Sequence, residues 1–225
     1  MENKIQFVGS GSAFSYENGQ NNAILYTIGE GETQEAMLID AGTQWHSMIL
    51  KVYSKTVADF LKENNVTKLF VTHLHADHIG GIEEIGFLTR FIPGLNKIEI
   101  IAPSKILEDL WEKSLKGGME SLDFGQLSPE EEVRPIGLDS YFVPNYLSDN
   151  IGVELPGKIM VEAFTTSHVA NRMGSKASCG VFITSKDKKT VYTSDTQFCP
   201  SQLLSMYKKA DQIFHDCETM PFKSK

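Results

Sequence analysis

The 225-residue chain is 41% hydrophobic and 22% charged, the balance of an ordinary globular protein, and its length buries a core as a single domain, 1-225, without staples. Its net charge of −8 and pI near 5.3 speak against a broad nucleic-acid-binding face, so no stable nucleic-acid partner is expected. Cys179, Cys199 and Cys217 are odd in number and lack Cys-x-x-Cys spacing, which suggests neither a disulfide framework nor a zinc ribbon.

All three cysteines read as small core residues, and their usage fits a reducing cytoplasm. Met1-Glu2-Asn3-Lys4 leads straight into a strand-like run, without a secretory signal or a membrane-spanning apolar segment. A cytoplasmic protein with no membrane partner is expected.

Residues 4–8 alternate as a strand and are broken by Gly9-Ser10-Gly11-Ser12. That loop lacks the Gly-Lys-Ser/Thr of a phosphate-binding P-loop. Residues 22–28 and 36–40 read as two further strands, and the second delivers Asp40 ahead of Ala41-Gly42-Thr43. A carboxylate there either orients a metal-binding histidine or caps a helix. His46, just beyond, reads as a surface or core-edge histidine.

Residues 56–64 carry Val57, Phe60 and Leu61 at helical spacing. The strand 68–71 then feeds His73-Leu74-His75-Ala76-Asp77-His78, which holds half of the chain's six histidines. Neutral imidazoles and a carboxylate are the ligand set of zinc or a similar divalent ion. In extended backbone, side chains two apart point the same way, so His73 and His75 can grip one ion while Asp77 and His78, past the bend, face another. A helix over 79–91 stopped by Pro93-Gly94, a strand over 97–102, and a helix from Pro103 to about Lys116, ended by Gly117-Gly118, follow.

Periodicity fades from Gly117 to Gly157, which holds Glu130-Glu131-Glu132 and the aromatic run 141–146. Such an insertion is either a packed excursion with its own short elements or a lid or oligomer contact. A strand over 158–164 then ends in Thr165-Thr166-Ser167-His168. A hairpin of 178–184 with 190–193 delivers Ser194-Asp195-Thr196, a helix spans 201–209, and a last strand runs into His215-Asp216-Cys217-Glu218-Thr219. Three strand ends thus present His168, Asp195 and His215-Asp216, and two ions roughly 3.5–4 Å apart need a bridging carboxylate such as Asp195.

The hexapeptide resembles the HxHxDH motif of the metallo-β-lactamase fold superfamily. Together with Gly9-Ser10-Gly11-Ser12, Asp40-Ala41-Gly42, His168, Ser194-Asp195-Thr196 and the His215 segment, the likeness covers most of the chain. It looks like the branch of tRNase Z and related phosphodiesterases, and implies an α/β fold, a four-layer αββα sandwich. By resemblance, His73, His75 and His168 hold one metal ion, Asp77 and His78 a second, and Asp195 bridges them. The same resemblance places His215 and Asp216 behind the ligands or near the phosphate, and suggests that Asp77 also orients the attacking water or accepts its proton. The cofactors implied are two divalent metal ions, Zn²⁺ or Mn²⁺.

Two departures refine this. Only 26 residues separate His168 from Asp195, enough for the hairpin but not for the tRNA-binding arm of the tRNase Z type. The compact form is similar to cyclic nucleotide phosphodiesterases of the fold, including the phage anti-Pycsar proteins that destroy cyclic CMP and cyclic UMP and act as homodimers. The implied function is two-metal hydrolysis of 3′,5′-cyclic mononucleotides by a homodimer, in evasion of host cyclic-nucleotide signalling and in the host cytoplasm if the chain is viral. RNA 3′-end cleavage, and metal or nucleotide binding without turnover, are the competing readings. The family pattern also places histidines after the His215 segment, whereas none follows here, so the protein is expected to continue past Lys225 and supply the last ligand.

Overall fold

The computed structural model describes residues 3–120, 136–148, 152–171, 174–175 and 177–217. The chain forms two compact units, Met1–Ser148 and Asp149–Lys225. Among the described residues no helix is long and apolar enough to cross a membrane.

The first unit is built on a six-stranded sheet in the order β1-β2-β3-β4-β5-β6. These strands are β1 (Lys4–Gly9), β2 (Asn22–Ile28), β3 (Gln34–Ile39), β4 (Val66–Phe70), β5 (Glu99–Pro103) and β6 (Val143–Leu147). The first three pair antiparallel and β3 to β6 run parallel. Parallel strands are buried on both faces, and Leu38, Ile39, Leu69, Phe70, Ile100 and Ile101 are accordingly fully buried. Each such side chain stabilises the fold by about 1.5–3 kcal/mol.

The helices are α1 (Trp45–Tyr53), α2 (Val57–Glu63), α3 (Ala76–Ile79), α4 (Ile82–Phe91), α5 (Ser104–Leu110), α6 (Lys116–Met119) and α7 (Leu138–Tyr141), with a wider turn over Trp111–Leu115 joining α5 to α6. Thr56 starts α2, its Oγ1 accepting from the Asp59 amide at 3.1 Å. Phe60 of that helix meets Trp45 of α1 edge to face, ring centroids 6.0 Å apart.

Several expectations need correction. The helix expected over 79–91 is split at Gly80-Gly81 into α3 and α4. The helix from Pro103 runs through Gly117 and Gly118 to Met119, because Met119 is buried and its carbonyl accepts the Tyr141 hydroxyl at 2.7 Å. Helix α1 was not anticipated. Part of the aperiodic stretch is sheet: β6 pairs in register along β5, with Tyr141 and Phe142 buried just before it. The Glu130–Glu132 run lies outside the described residues.

The second unit holds a five-stranded sheet in the order β13-β12-β11-β8-β7. Its strands are β7 (Val153–Leu155), β8 (Ile159–Thr165), β11 (Cys179–Thr184), β12 (Lys189–Tyr192) and β13 (Gln212–Phe214), with α8 (Pro200–Tyr207) before the last. A separate two-stranded ladder joins β9 (Ala170–Asn171) to β10 (Gly174–Ser175). Because β11 is antiparallel to both β8 and β12, and β13 is parallel to β12, the strands β8, β12 and β13 all end at the same edge. Of the three cysteines only Cys179 is buried. Cys199 is half-buried and Cys217 exposed, since both follow strand ends into loops rather than lying within the sheet.

Candidate metal centre

Strand β4 ends at Phe70, and Val71 still donates to the Ile101 carbonyl at 2.9 Å, so the backbone stays extended into His73. His75 is also extended, at φ −76° and ψ 148°, and α3 begins immediately after it. The backbone thus changes from extended to helical within the hexapeptide. His73 Nε2 and His75 Nδ1 converge to 3.1 Å, and on the first helical turn His78 Nε2 faces Asp77 Oδ2 at 3.5 Å. Ligands around a tetrahedral zinc with Zn–N near 2.0–2.1 Å lie about 3.3 Å apart, so the donor atoms fit a divalent ion. His73 and His78 are buried, and their rings lie tilted at 48° to each other with centroids 4.1 Å apart.

Asp40 is the hub beneath them. It is fully buried and sits at φ 64°, a left-handed conformation that Asp tolerates better than most residues. Its Oδ1 accepts from the Thr72 amide at 2.8 Å, and its Oδ2 accepts from the Thr72 hydroxyl and from His78 Nδ1–H, each at 2.7 Å. The carboxylate therefore orients a histidine and caps no helix; the N-cap position of α1 is held by Gln44 instead. With Nδ1 protonated towards Asp40, His78 presents the lone pair of Nε2 to a ligand. The Thr72 hydroxyl gives its proton to Asp40, so towards His73 Nδ1 at 3.1 Å it is an acceptor. That sets the His73 tautomer with Nδ1 protonated, its Nε2 lone pair turned towards His75 Nδ1 at 3.1 Å.

The turn carrying Asp40 packs on the turn carrying Asp77. Ala41 donates to the His78 carbonyl at 2.7 Å, Thr43 to that of Ala76 at 3.1 Å, and Gly81 to that of Ala41 at 2.8 Å. A Cβ on Gly42 would run into the Asp77 carbonyl oxygen. Buried Gln20 and Asn22 pin the same turn, with Gln20 Oε1 accepting from the Gln44 amide at 2.9 Å and Asn22 Oδ1 from the Gly42 amide at 2.8 Å. Thr72, Gln20 and Asn22 were not singled out from sequence. Nothing in their spacing marks them, since their partners lie 20 to 32 residues away.

In the second unit, His168 follows β8 and Asp195 follows β12, and His168 Nε2 lies 3.5 Å from Asp195 Oδ2. The loops are laced together, the Gln197 amide donating to the Ser167 carbonyl at 2.6 Å and Gln197 Nε2 to the His168 carbonyl at 2.9 Å. Asp216, past β13, accepts from the Thr196 amide at 3.1 Å. Loss of water around its carboxylate raises the Asp216 pKa, the Thr196 amide pulls it down, and the Asp195 charge pushes it up again. Neighbouring His215 stacks edge to face on Tyr207 at 5.7 Å. Each unit thus assembles its own donors: His73, His75, Asp77 and His78 in the first, and His168 with Asp195 in the second. His46 is no part of either set, because it is exposed and pairs with Glu84 at 2.7 Å.

Imidazole and carboxylate donors at these separations suit a divalent cation, and the arrangement is that of a metal-binding site. Solved structures share the fold. Zinc-bound PqqB of Methylobacterium extorquens superposes with TM-score 0.62 at 12% identity, covering 93% of this chain and 71% of that one. The short form of human tRNase Z gives 0.55 at 20% identity, over 93% and 76%. Both carry the metallo-β-lactamase fold, which is the fold of this chain. The Anti-Pycsar protein Apyc1 of Bacillus phage BSP38 is 33% identical over 221 residues, spanning 96% of this chain and 77% of that protein. The family model described as Anti-Pycsar protein Apyc1 matches residues 3–225, and the chain therefore belongs to the Anti-Pycsar Apyc1 family.

Proposed function

We propose that this chain is a metal-dependent phosphodiesterase that opens 3′,5′-cyclic mononucleotides, cyclic CMP and cyclic UMP foremost. The observation that carries the reading is the family match along residues 3–225, in a chain whose units each gather histidine and carboxylate donors. In this reading His73, His75 and His168 hold one divalent ion, zinc or manganese, Asp77 and His78 a second, and Asp195 bridges them. Ions so placed supply Lewis acidity and a water ionised near neutral pH.

The chain's own groups do the rest. Asp40, through His78, and Thr72, through His73, hold imidazole tautomers and orientations, so that little reorganisation is needed as charge builds on phosphorus. The water oxygen bonds to phosphorus, one ester bond to the ribose breaks, and the departing oxygen takes up the proton that Asp77 received from the water. Asp77 receives the water's proton, and His215 serves the phosphate side. The protein works as a homodimer on a small soluble substrate, within the cytoplasm of an infected host.

The test is incubation of metal-loaded protein with cyclic CMP, UMP, AMP and GMP, resolving linear nucleotides by chromatography. Linear monophosphates are expected, with a tRNA precursor left intact. No turnover with zinc, manganese or cobalt would overturn the proposal.

A further inference from the structure

Two aromatic rings stand bare at the sheet edge that carries Asp40 and His73. Strand β1 is antiparallel to β2, which is antiparallel to β3, so β1 runs parallel to β3 and β4. The loop from β1 to β2 therefore leaves the sheet at the edge where β3 delivers Asp40 and β4 delivers His73. On that loop Phe14 is 86% exposed and Tyr16 88%. Among the described large apolar side chains of this unit the next most exposed is Leu50, at 55%.

The rings are bare on a clamped loop. The Ser10 amide donates to the Asn18 carbonyl at 3.1 Å, the Gly11 amide to that of Gly19 at 2.8 Å, and Lys51 Nζ to that of Glu17 at 2.9 Å. A Cβ on Gly9 would strike the Gln20 carbonyl oxygen, so the two sides of the loop lie in close contact. Gln20 Nε2 reaches the Ala13 carbonyl at 3.1 Å and Thr43 Oγ1 at 2.8 Å. The Thr43 amide in turn holds the Ala76 carbonyl, between His75 and Asp77. One side chain thus ties the loop tip to the turn that carries the metal donors.

The second unit repeats the association by itself. Its most exposed large apolar side chain among the described residues is Phe198, at 81%. Phe198 directly follows Gln197, whose side chain holds the His168 carbonyl.

A flat apolar face set beside a phosphodiester site suits a ligand that carries its own flat face at a fixed distance from a phosphodiester, which is a nucleobase. We infer that Phe14 and Tyr16 form a stacking platform for the base of the substrate, an inference that rests on the reading of the site given above. Every base has a π-face, so such a platform tolerates different bases.

The test uses Phe14→Ala, Tyr16→Ala and Tyr16→Phe in the metal-loaded full chain. Steady-state kinetics on cyclic CMP and on base-free ribose 3′,5′-cyclic phosphate are read beside calorimetric binding of cyclic CMP and mass by light scattering. In each alanine variant KM for cyclic CMP rises about tenfold while kcat holds, which is the mark of lost uniform binding. KM for the base-free compound stays put, and Tyr16→Phe behaves as wild type. A KM that does not move, or that rises equally for the base-free compound, overturns the platform. So does a mass that halves in the variants, because the rings would then cover a second copy. If the wild type turns over no cyclic nucleotide, hydrolysis fails and calorimetry decides: weaker binding in the alanine variants upholds the platform, whereas unchanged binding, or none by wild type, overturns it.

Discussion

Asp40 Oδ2 lies 2.7 Å from His78 Nδ1, with both side chains out of contact with solvent. The same oxygen takes the Thr72 hydroxyl proton, so one buried carboxylate governs two of the four histidines assigned to the metals. Asp40→Asn keeps the shape and the left-handed backbone but can turn an amide towards donors. Metal affinity is expected to fall about 10- to 100-fold and stability by about 1–3 kcal/mol. Competition with a fluorescent chelator and chemical denaturation measure the two effects, and unchanged metal affinity would show that Asp40 does not tune His78.

Thr72→Val removes the hydroxyl between Asp40 and His73 with almost no change of volume. It leaves one Asp40 lone pair and His73 Nδ1 without that partner, at a cost of about 1–3 kcal/mol. Thr72→Ser restores the hydroxyl and should recover metal binding and turnover. Equal behaviour of the two variants would remove Thr72 from the account.

Gly42 lies where the Asp40 turn meets the backbone of Asp77. Gly42→Ala forces those turns apart, with a stability loss of about 1–3 kcal/mol and weaker metal binding. An alanine variant with wild-type melting temperature and metal content would show that the contact relaxes without consequence.

His215→Ala separates catalysis from coordination. A fall in kcat of about 10²- to 10⁴-fold, with metal content unchanged, is the outcome expected if His215 serves the phosphate side. Loss of an ion on substitution would make it a ligand instead.

Much of this was legible in the sequence because it is local. The hexapeptide shows its candidate donors in its own spacing, and the runs at 22–28 and 68–71 could be little but strands. Helix α1 was missed although Trp45, Met48 and Ile49 carry helical spacing, because Gln44 offers no capping side chain to announce it. The role of Asp40 was open between an N-cap and a histidine orienter, since a strand-end carboxylate suits both until the fold brings Thr72 and His78 to it. The sheet character of residues 143–147 was hidden by Pro144 and Asn145. An edge position beside β5 tolerates both.

The proposed function requires donors from both units to serve one pair of ions, and metal counting by plasma mass spectrometry tests that proposal most directly. Wild type should carry two ions per chain, and His168→Ala and Asp195→Ala, which leave the hexapeptide intact, should each lose at least one and with it cyclic nucleotide turnover. Two ions retained in both variants would contradict the account.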